Sequence, residues 1–224
     1  MRLASLFSGG KDSTFAVYKA KKDKHDIVCL LTVYSQNPDS YMFHTVNIRL
    51  VKLQAKLMKL PLLSGLSGGE KERELDDLKA LVKHAVNKYC IQGLCVGALA
   101  SNYQKERVEA LCNELGLALY SPFWQVNPED YMNELIGSDF NVIITKISAD
   151  GLTEDFLGKR IDKKLLQKLK DINSKTGISI VGEGGEYETL VLNCPLFERK
   201  LRIVAAHNKM ESYNVGFYVV EKAE

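Results

Sequence analysis

Six consecutive residues, Ser8-Gly9-Gly10-Lys11-Asp12-Ser13, join an apolar run to a helix-like stretch, and that order limits the fold more than any other feature. Met1–Phe7 reads as a short strand with Leu3, Leu6 and Phe7 available for burial. Ser13–Lys24 turns helical in pattern, with Phe15, Val17, Tyr18 and Ala20 before a basic end. Two glycines let the backbone bend tightly and approach a ligand without a Cβ in the way. The N–H groups of the first helical turn and the helix dipole favour an anion in that bend. Lys11 adds a mobile positive charge, Ser13 a hydroxyl, and Asp12 a carboxylate suited to Mg²⁺ or to capping the helix. The spacing excludes the Walker A loop, which needs four residues between its first Gly and Gly-Lys-Ser/Thr. The plainer alternative is a glycine-rich turn that binds nothing. Strand, loop and helix in this order favour a phosphate site, with Lys11 and Asp12 exposed in its cleft.

The pattern that follows extends the same architecture. Ile27–Tyr34 is apolar and β-branched, as a buried parallel strand requires. Thr45–Leu60 reads as a helix, and Glu70–Tyr89 as a stronger one, with Leu75, Leu78, Leu81, Val82, Ala85 and Val86 at helical spacing. Leu94–Ala98 is a strand, and Asn102–Leu115 a helix stopped by Gly116. Alternation of this kind predicts an α/β fold, a parallel sheet with helices on both faces, whose ligands bind at the carboxyl ends of the strands. The phosphate loop falls at that edge.

After Leu119 the texture changes. Ser121-Pro122-Phe123-Trp124 and Asn127-Pro128 break regular structure, so two domains are expected, 1–122 for the phosphate site and 123–224 for a smaller α+β unit. In the second, Asp130–Ile136 and Asp162–Asn173 read as helices. Asn141–Ile147, Ile178–Val181, Thr189–Leu192, Leu201–Ala206 and Val215–Val220 read as strands.

Charge and cysteines narrow the function. Thirty basic against 28 acidic residues give a net charge of +2, which offers no support for a nucleic-acid-binding surface. No apolar run approaches the length needed to span a bilayer, and the N-terminus runs directly into the loop, so neither a membrane span nor a signal peptide is expected. The five cysteines, Cys29, Cys90, Cys95, Cys112 and Cys194, include no Cys-x-x-Cys pair. They read as reduced, mostly buried thiols of a cytoplasmic protein.

A second constellation, Gly182-Glu183-Gly184-Gly185-Glu186-Tyr187-Glu188-Thr189, lies between two expected strands. Three carboxylates in eight residues repel one another unless a cation, a metal or a hydrogen-bond donor separates them. Strand alternation places Glu186 and Glu188 on one side and Tyr187 on the other. By composition alone a solvated acidic turn is as good a reading as a binding site.

The Ser8–Ser13 order resembles the loop of the PP-loop ATP pyrophosphatases, HUP-type Rossmann-like enzymes that cut ATP between its α and β phosphates. Together with Glu183–Thr189 it resembles the diphthine–ammonia ligase family within that superfamily, in its short, archaeal-type form. Met42-Phe43-His44-Thr45, Gly97-Ala98, Ser101-Asn102-Tyr103-Gln104, Arg107-Val108-Glu109, Leu157-Gly158-Lys159 and Cys194-Pro195-Leu196-Phe197 fit as well, so the likeness spans nearly the whole chain.

That resemblance implies ATP-dependent amidation of diphthine, a modified histidine on translation elongation factor 2, with ammonium as co-substrate and AMP and pyrophosphate as products. It implies Ser8, Gly9, Gly10, Lys11, Asp12 and Ser13 around the phosphates, with Asp12 as the Mg²⁺ ligand. His44, Ser101, Tyr103, Gln104 and Arg107 are expected along the nucleotide edge. Gly182, Glu183, Gly184, Gly185, Glu186, Tyr187, Glu188 and Thr189 are expected around the cationic substrate, with Glu183, Glu186 and Glu188 as candidates for the base and Tyr187 as an aromatic face. Two alternatives stay open: a PP-loop enzyme that adenylates a tRNA base, and an ATP-binding sensor without turnover. The missing cysteine pair weighs against sulfur insertion. Homo-oligomerisation is left open.

Overall fold

The computed structural model describes residues 1–35, 47–68, 73–99 and 102–224. The chain divides into two compact units, Met1–Trp124 and Gln125–Glu224.

The first unit alternates strand and helix: β1 (Arg2–Leu6), α1 (Lys11–Lys22), β2 (Asp26–Ser35), α2 (Val51–Leu57), β3 (Leu62–Ser67), α3 (Arg73–Tyr89), β4 (Gly93–Cys95), α4 (Asn102–Leu115) and β5 (Ala118–Tyr120). A 3₁₀ turn, Ile48–Leu50, leads into α2. The five strands form one sheet in the order β3-β2-β1-β4-β5, and every pairing is parallel. Chain direction across the sheet reverses at β1, so right-handed crossovers send α1 and α2 to one face and α3 and α4 to the other. The core bears this out. Ala4, Cys29, Leu31, Val33, Leu94 and Val96 pack in one cluster with Leu78, Leu81, Val82 and Ala85 of α3 and Val108, Leu111 and Cys112 of α4, without α1 or α2. On α1, Phe15, Ala16, Val17 and Ala20 are fully buried.

The second unit carries α5 (Pro128–Gly137), β6 (Asn141–Ser148), α6 (Lys163–Thr176), β7 (Tyr187–Asn193), β8 (Ile203–Met210) and β9 (Val215–Ala223). Its four strands form an antiparallel sheet ordered β7-β6-β9-β8. Asn127 caps α5 by accepting from the amides of Glu129 and Asp130 at 2.9 and 3.2 Å, with Pro128 opening the helix. Asp162 caps α6 by accepting from Leu165 N at 2.8 Å.

Two expectations change. Ile178–Val181 was expected as a strand, but it belongs to neither sheet and ends in a turn: Ser179 O accepts from Gly182 N at 3.1 Å, and Ser179 N donates to the Glu186 carboxylate. The sheet of the first unit also gains β3 and β5, whose sequences Leu-Leu-Ser-Gly-Leu-Ser and Ala-Leu-Tyr carry no β-branched residue.

Candidate active site

The loop Ser8–Ser13 leaves the carboxyl end of β1, beside β4, where the strand order reverses. In open α/β sheets this is the position at which ligands bind. Phe7 continues the strand, with its amide donating to Leu31 O at 2.8 Å and its carbonyl accepting from Thr32 Oγ1 at 2.6 Å. Gly9 then turns with φ +79°, and a Cβ there would collide with the side-chain oxygen of Gln54. Gln54 is fully buried on α2 and donates from Nε2 to Gly9 O at 2.9 Å, so α2 holds the loop from behind.

Gly10 is the N-cap of α1, and no side chain caps it. The hydroxyls instead brace the turn. Thr14 Oγ1 donates to Gly10 O at 2.8 Å, Ser13 Oγ accepts from Ser8 N at 3.2 Å, and the Ser8 and Ser13 hydroxyls lie 3.2 Å apart. The start of a twelve-residue helix without a side-chain cap is a site for an anion. Lys11 was expected to be exposed, but it is 3% exposed. Its ammonium bonds both carboxylate oxygens of the more open Asp12 at 2.9 Å. The cation and the carboxylate are thus held at the mouth of the loop as a neutral pair.

Gly97, just after β4, abuts this helix start. A Cβ at Gly97 would lie on the Asp12 carbonyl and 2.8 Å from Ser13 N. Neither Gln54 nor Gly97 was read as a site residue. The available signal for Gln54 was a polar residue three positions after Val51, on the apolar side of α2. Arg107 is half-buried on α4. Tyr103 and Gln104 lie in the first turn of that helix. His44 and Ser101 fall outside the described residues.

The acidic motif belongs to the second unit and is held by its own hydrogen bonds. Gly182 N donates to Ser179 O at 3.1 Å, and Gly185 N donates to Gly182 O at 3.3 Å. Glu186 Oε1 accepts from Ser179 N at 2.9 Å. Glu186 Oε2 is buried with no hydrogen-bond partner among the described residues. Tyr187 is 3% exposed and donates to Ile180 O at 2.7 Å, which packs its ring under the loop. Glu188 stands opposite Lys146 in the β6–β7 register and accepts from its ammonium at 3.1 Å. Glu183 and Thr189 are half-buried, and Gly184 and Gly185 are exposed. Among the described residues no group of three or more His, Cys, Asp or Glu side chains is placed to hold a metal.

Four of the five thiols are shielded from solvent. Cys29, Cys95, Cys112 and Cys194 are buried, and burial pushes their pKa values up to about 12, 12, 11 and 12 respectively. No described helix is long and apolar enough to cross a membrane.

A parallel sheet ordered 3-2-1-4-5, with a Gly-Gly-Lys-Asp loop at its switch point, is the architecture of a Rossmann-like PP-loop nucleotide-binding protein, here followed by a small antiparallel unit. Comparison with known proteins carries the assignment further. The family model described as Diphthamide synthase N-terminal domain matches residues 1–119, and the one described as Diphthamide synthase C-terminal domain matches residues 127–224. The diphthine–ammonia ligase of Mus musculus is 37% identical over 233 residues, covering 95% of this chain and 86% of that protein. Its Homo sapiens counterpart is 38% identical over 220 residues, covering 90% and 82%. That of Schizosaccharomyces pombe is 34% identical over 232 residues, covering 96% of this chain and 38% of the longer yeast protein. The chain belongs to the diphthamide synthase family, and membership makes it an ATP-using ligase.

Proposed function

We propose that this protein amidates diphthine on translation elongation factor 2, with ATP and ammonium as co-substrates. The observation that carries the reading is the uncapped start of α1, flanked by the Lys11–Asp12 pair, in a chain of this family. A carboxylate resists attack by ammonia because oxide is a poor leaving group. Attack of the diphthine carboxylate on the α-phosphate of ATP forms an acyl-adenylate and expels pyrophosphate. Ammonium loses a proton to the base, the ammonia attacks the acyl carbon, AMP departs with the electron pair of the broken carbon–oxygen bond, and the nitrogen releases a second proton to leave the amide.

The chain's own residues position and stabilise. Lys11 transfers from Asp12 to the departing pyrophosphate, and the amides of α1 hold its oxygens. Asp12, released by that transfer, fits Mg²⁺, which takes one or two carboxylates beside substrate phosphates. When bound, the ion would neutralise phosphate charge. His44, Ser101, Tyr103, Gln104 and Arg107 complete the nucleotide edge in this reading. Gly182, Gly184, Gly185 and Thr189 shape the acidic loop, and Tyr187 supports it from below. Glu186 takes the role of base, because Oε2 is an acceptor that no described group satisfies while Oε1 is held by Ser179. Glu188 is already neutralised by Lys146, and Glu183 lines the turn.

The test is a mass measurement on purified, diphthine-bearing elongation factor 2. ATP plus ammonium should convert the carboxylate to the amide with one pyrophosphate released per amide. Pyrophosphate release that ignores both factor and ammonium, or that tRNA stimulates instead, would overturn the reading.

A further inference from the structure

Diphthine carries a fixed trimethylammonium, so the function just proposed, on which this inference rests, calls for an aromatic face to receive it. Tyr187 is buried under its own loop. We propose that the quaternary ammonium is received on the indole face of Trp124, and that the ammonium of Lys105 occupies that face until substrate displaces it.

Lys105 Nζ lies 4.1 Å from the centre of the Trp124 ring. The Lys22, Lys52, Lys88 and Lys146 ammonium groups lie 5.5 to 5.9 Å from the rings they cover. Tryptophan is the strongest aromatic partner for a cation. Among the described residues Lys105 makes no ion pair, and the Trp124 ring is the partner its ammonium faces. A primary ammonium is well hydrated and leaves for water at little cost, whereas a trimethylammonium is weakly hydrated and gains more from an apolar, electron-rich face.

The position also suits the acceptor. Trp124 follows Phe123, which is 2% exposed and stacks on Phe15 of α1 at 4.8 Å and 14°. Phe15 is two residues beyond Ser13, so the residue preceding Trp124 is anchored to the helix that opens at the Ser8–Ser13 loop. Trp124 N donates to Ser121 O at 3.3 Å, and Ser121 Oγ donates to Ala98 O at 3.4 Å, tying the segment to the exit of β4. The segment therefore lies at the carboxyl ends of β4 and β5, the same edge of the sheet from which the Ser8–Ser13 loop leaves β1.

Trp124 is the single tryptophan of the chain, so emission from the purified protein reports its ring alone. Tetramethylammonium chloride should change that emission in a saturable way that sodium chloride at equal ionic strength does not. Lys105→Gln should strengthen the response by removing the competitor. Identical titrations with the two salts in both proteins would overturn the proposal. In a second arm, wild type should bind diphthine-bearing elongation factor 2 more tightly than the same factor with an unmodified histidine. Trp124→Leu should lose roughly 3- to 30-fold in affinity for the diphthine form alone, and Trp124→Phe should fall between. Equal losses toward both forms would show a structural role and overturn the proposal. Wild-type preference for neither form would overturn the amidation reading, while the tetramethylammonium titration still decides the role of the ring.

Discussion

Lys11 and Asp12 form an ion pair at the start of α1, a buried cation held by a more open carboxylate. Burial of an ammonium at 3% exposure is tolerable because a carboxylate bonds it through both oxygens. Lys11→Ala should abolish pyrophosphate release, measured with ATP and diphthine-bearing factor. Asp12→Ala should do the same and also lower stability, by about 1–3 kcal/mol on urea unfolding, since it withdraws a charge-assisted partner from a buried cation. Near-normal turnover in either variant would remove that residue from the phosphate site. Gly97 makes a sharper case, because its substitution touches no charge. A methyl group there meets the Asp12 carbonyl, which is backbone and cannot rotate away. Gly97→Ala should cost about 1–3 kcal/mol and weaken nucleotide binding in calorimetry; unchanged ATP affinity would show that the helix start tolerates displacement. Glu186→Gln separates the two halves of the chemistry. The amide oxygen still accepts from Ser179 N, but an NH₂ replaces the acceptor Oε2. ATP binding should persist while amide formation falls roughly 10- to 150-fold, the loss of about 1.5–3 kcal/mol of charge-assisted contact.

Elements differ in how plainly their sequences announce them, and the reason is physical. Helix α3 follows its 3.6-residue apolar stripe to Tyr89, and α4 ends at Leu115 before Gly116, because burial on one face and a glycine stop act locally. Strands β3 and β5 are held by parallel partners instead, Leu30↔Leu62 through Ser35↔Ser67 and Gly93↔Ala118 through Cys95↔Tyr120. Tertiary pairing overrides their weak intrinsic preference, which no local pattern records. The reverse happened at Ile178–Val181, whose β-branched residues suggested a strand. Ser179 and Ile180 spend their backbone groups on Glu186 and Tyr187 instead. The turn at Ser8–Ser13 was legible because its glycines and hydroxyl residues are adjacent in sequence and brace one another locally. Gln54 and Gly97 were not, since their contribution depends on α2 and β4 arriving beside Gly9 and Asp12. The α5 boundary tests the local half of this account. Asn127 satisfies two helix-start amides, so Asn127→Ala should lower the urea midpoint by an amount worth about 1 kcal/mol, whereas an unchanged midpoint would assign the helix start to Pro128 and packing alone.

At the scale of the whole molecule, charge and thiols bear on which class of chemistry is expected of the chain. A net charge of +2 provides no field to draw in a polyanionic tRNA, so stimulation by a protein acceptor is expected where stimulation by tRNA is not. The cysteines speak to what group is transferred. Sulfur insertion requires thiols that ionise and meet solvent, because the thiolate is the nucleophile. A thiol held at about 12 is ionised to only about one part in ten thousand at pH 8. Cys112, raised to about 11, is ionised to about one part in a thousand, and all four of these side chains are buried. Cys90 alone is exposed, and Cys95, five positions on, is buried within β4, so the two do not present a paired dithiol. Native protein treated with iodoacetamide at pH 8 should therefore take up a single adduct, mapped to Cys90 by peptide mass spectrometry. Unfolding in urea should expose the remaining thiols to the reagent. The singly alkylated protein should amidate at the unmodified rate, since no step from carboxylate to acyl-adenylate to amide passes through sulfur. Loss of pyrophosphate release after modification of Cys90 would instead tie turnover to a thiol and bring sulfur transfer back as the reaction of this site.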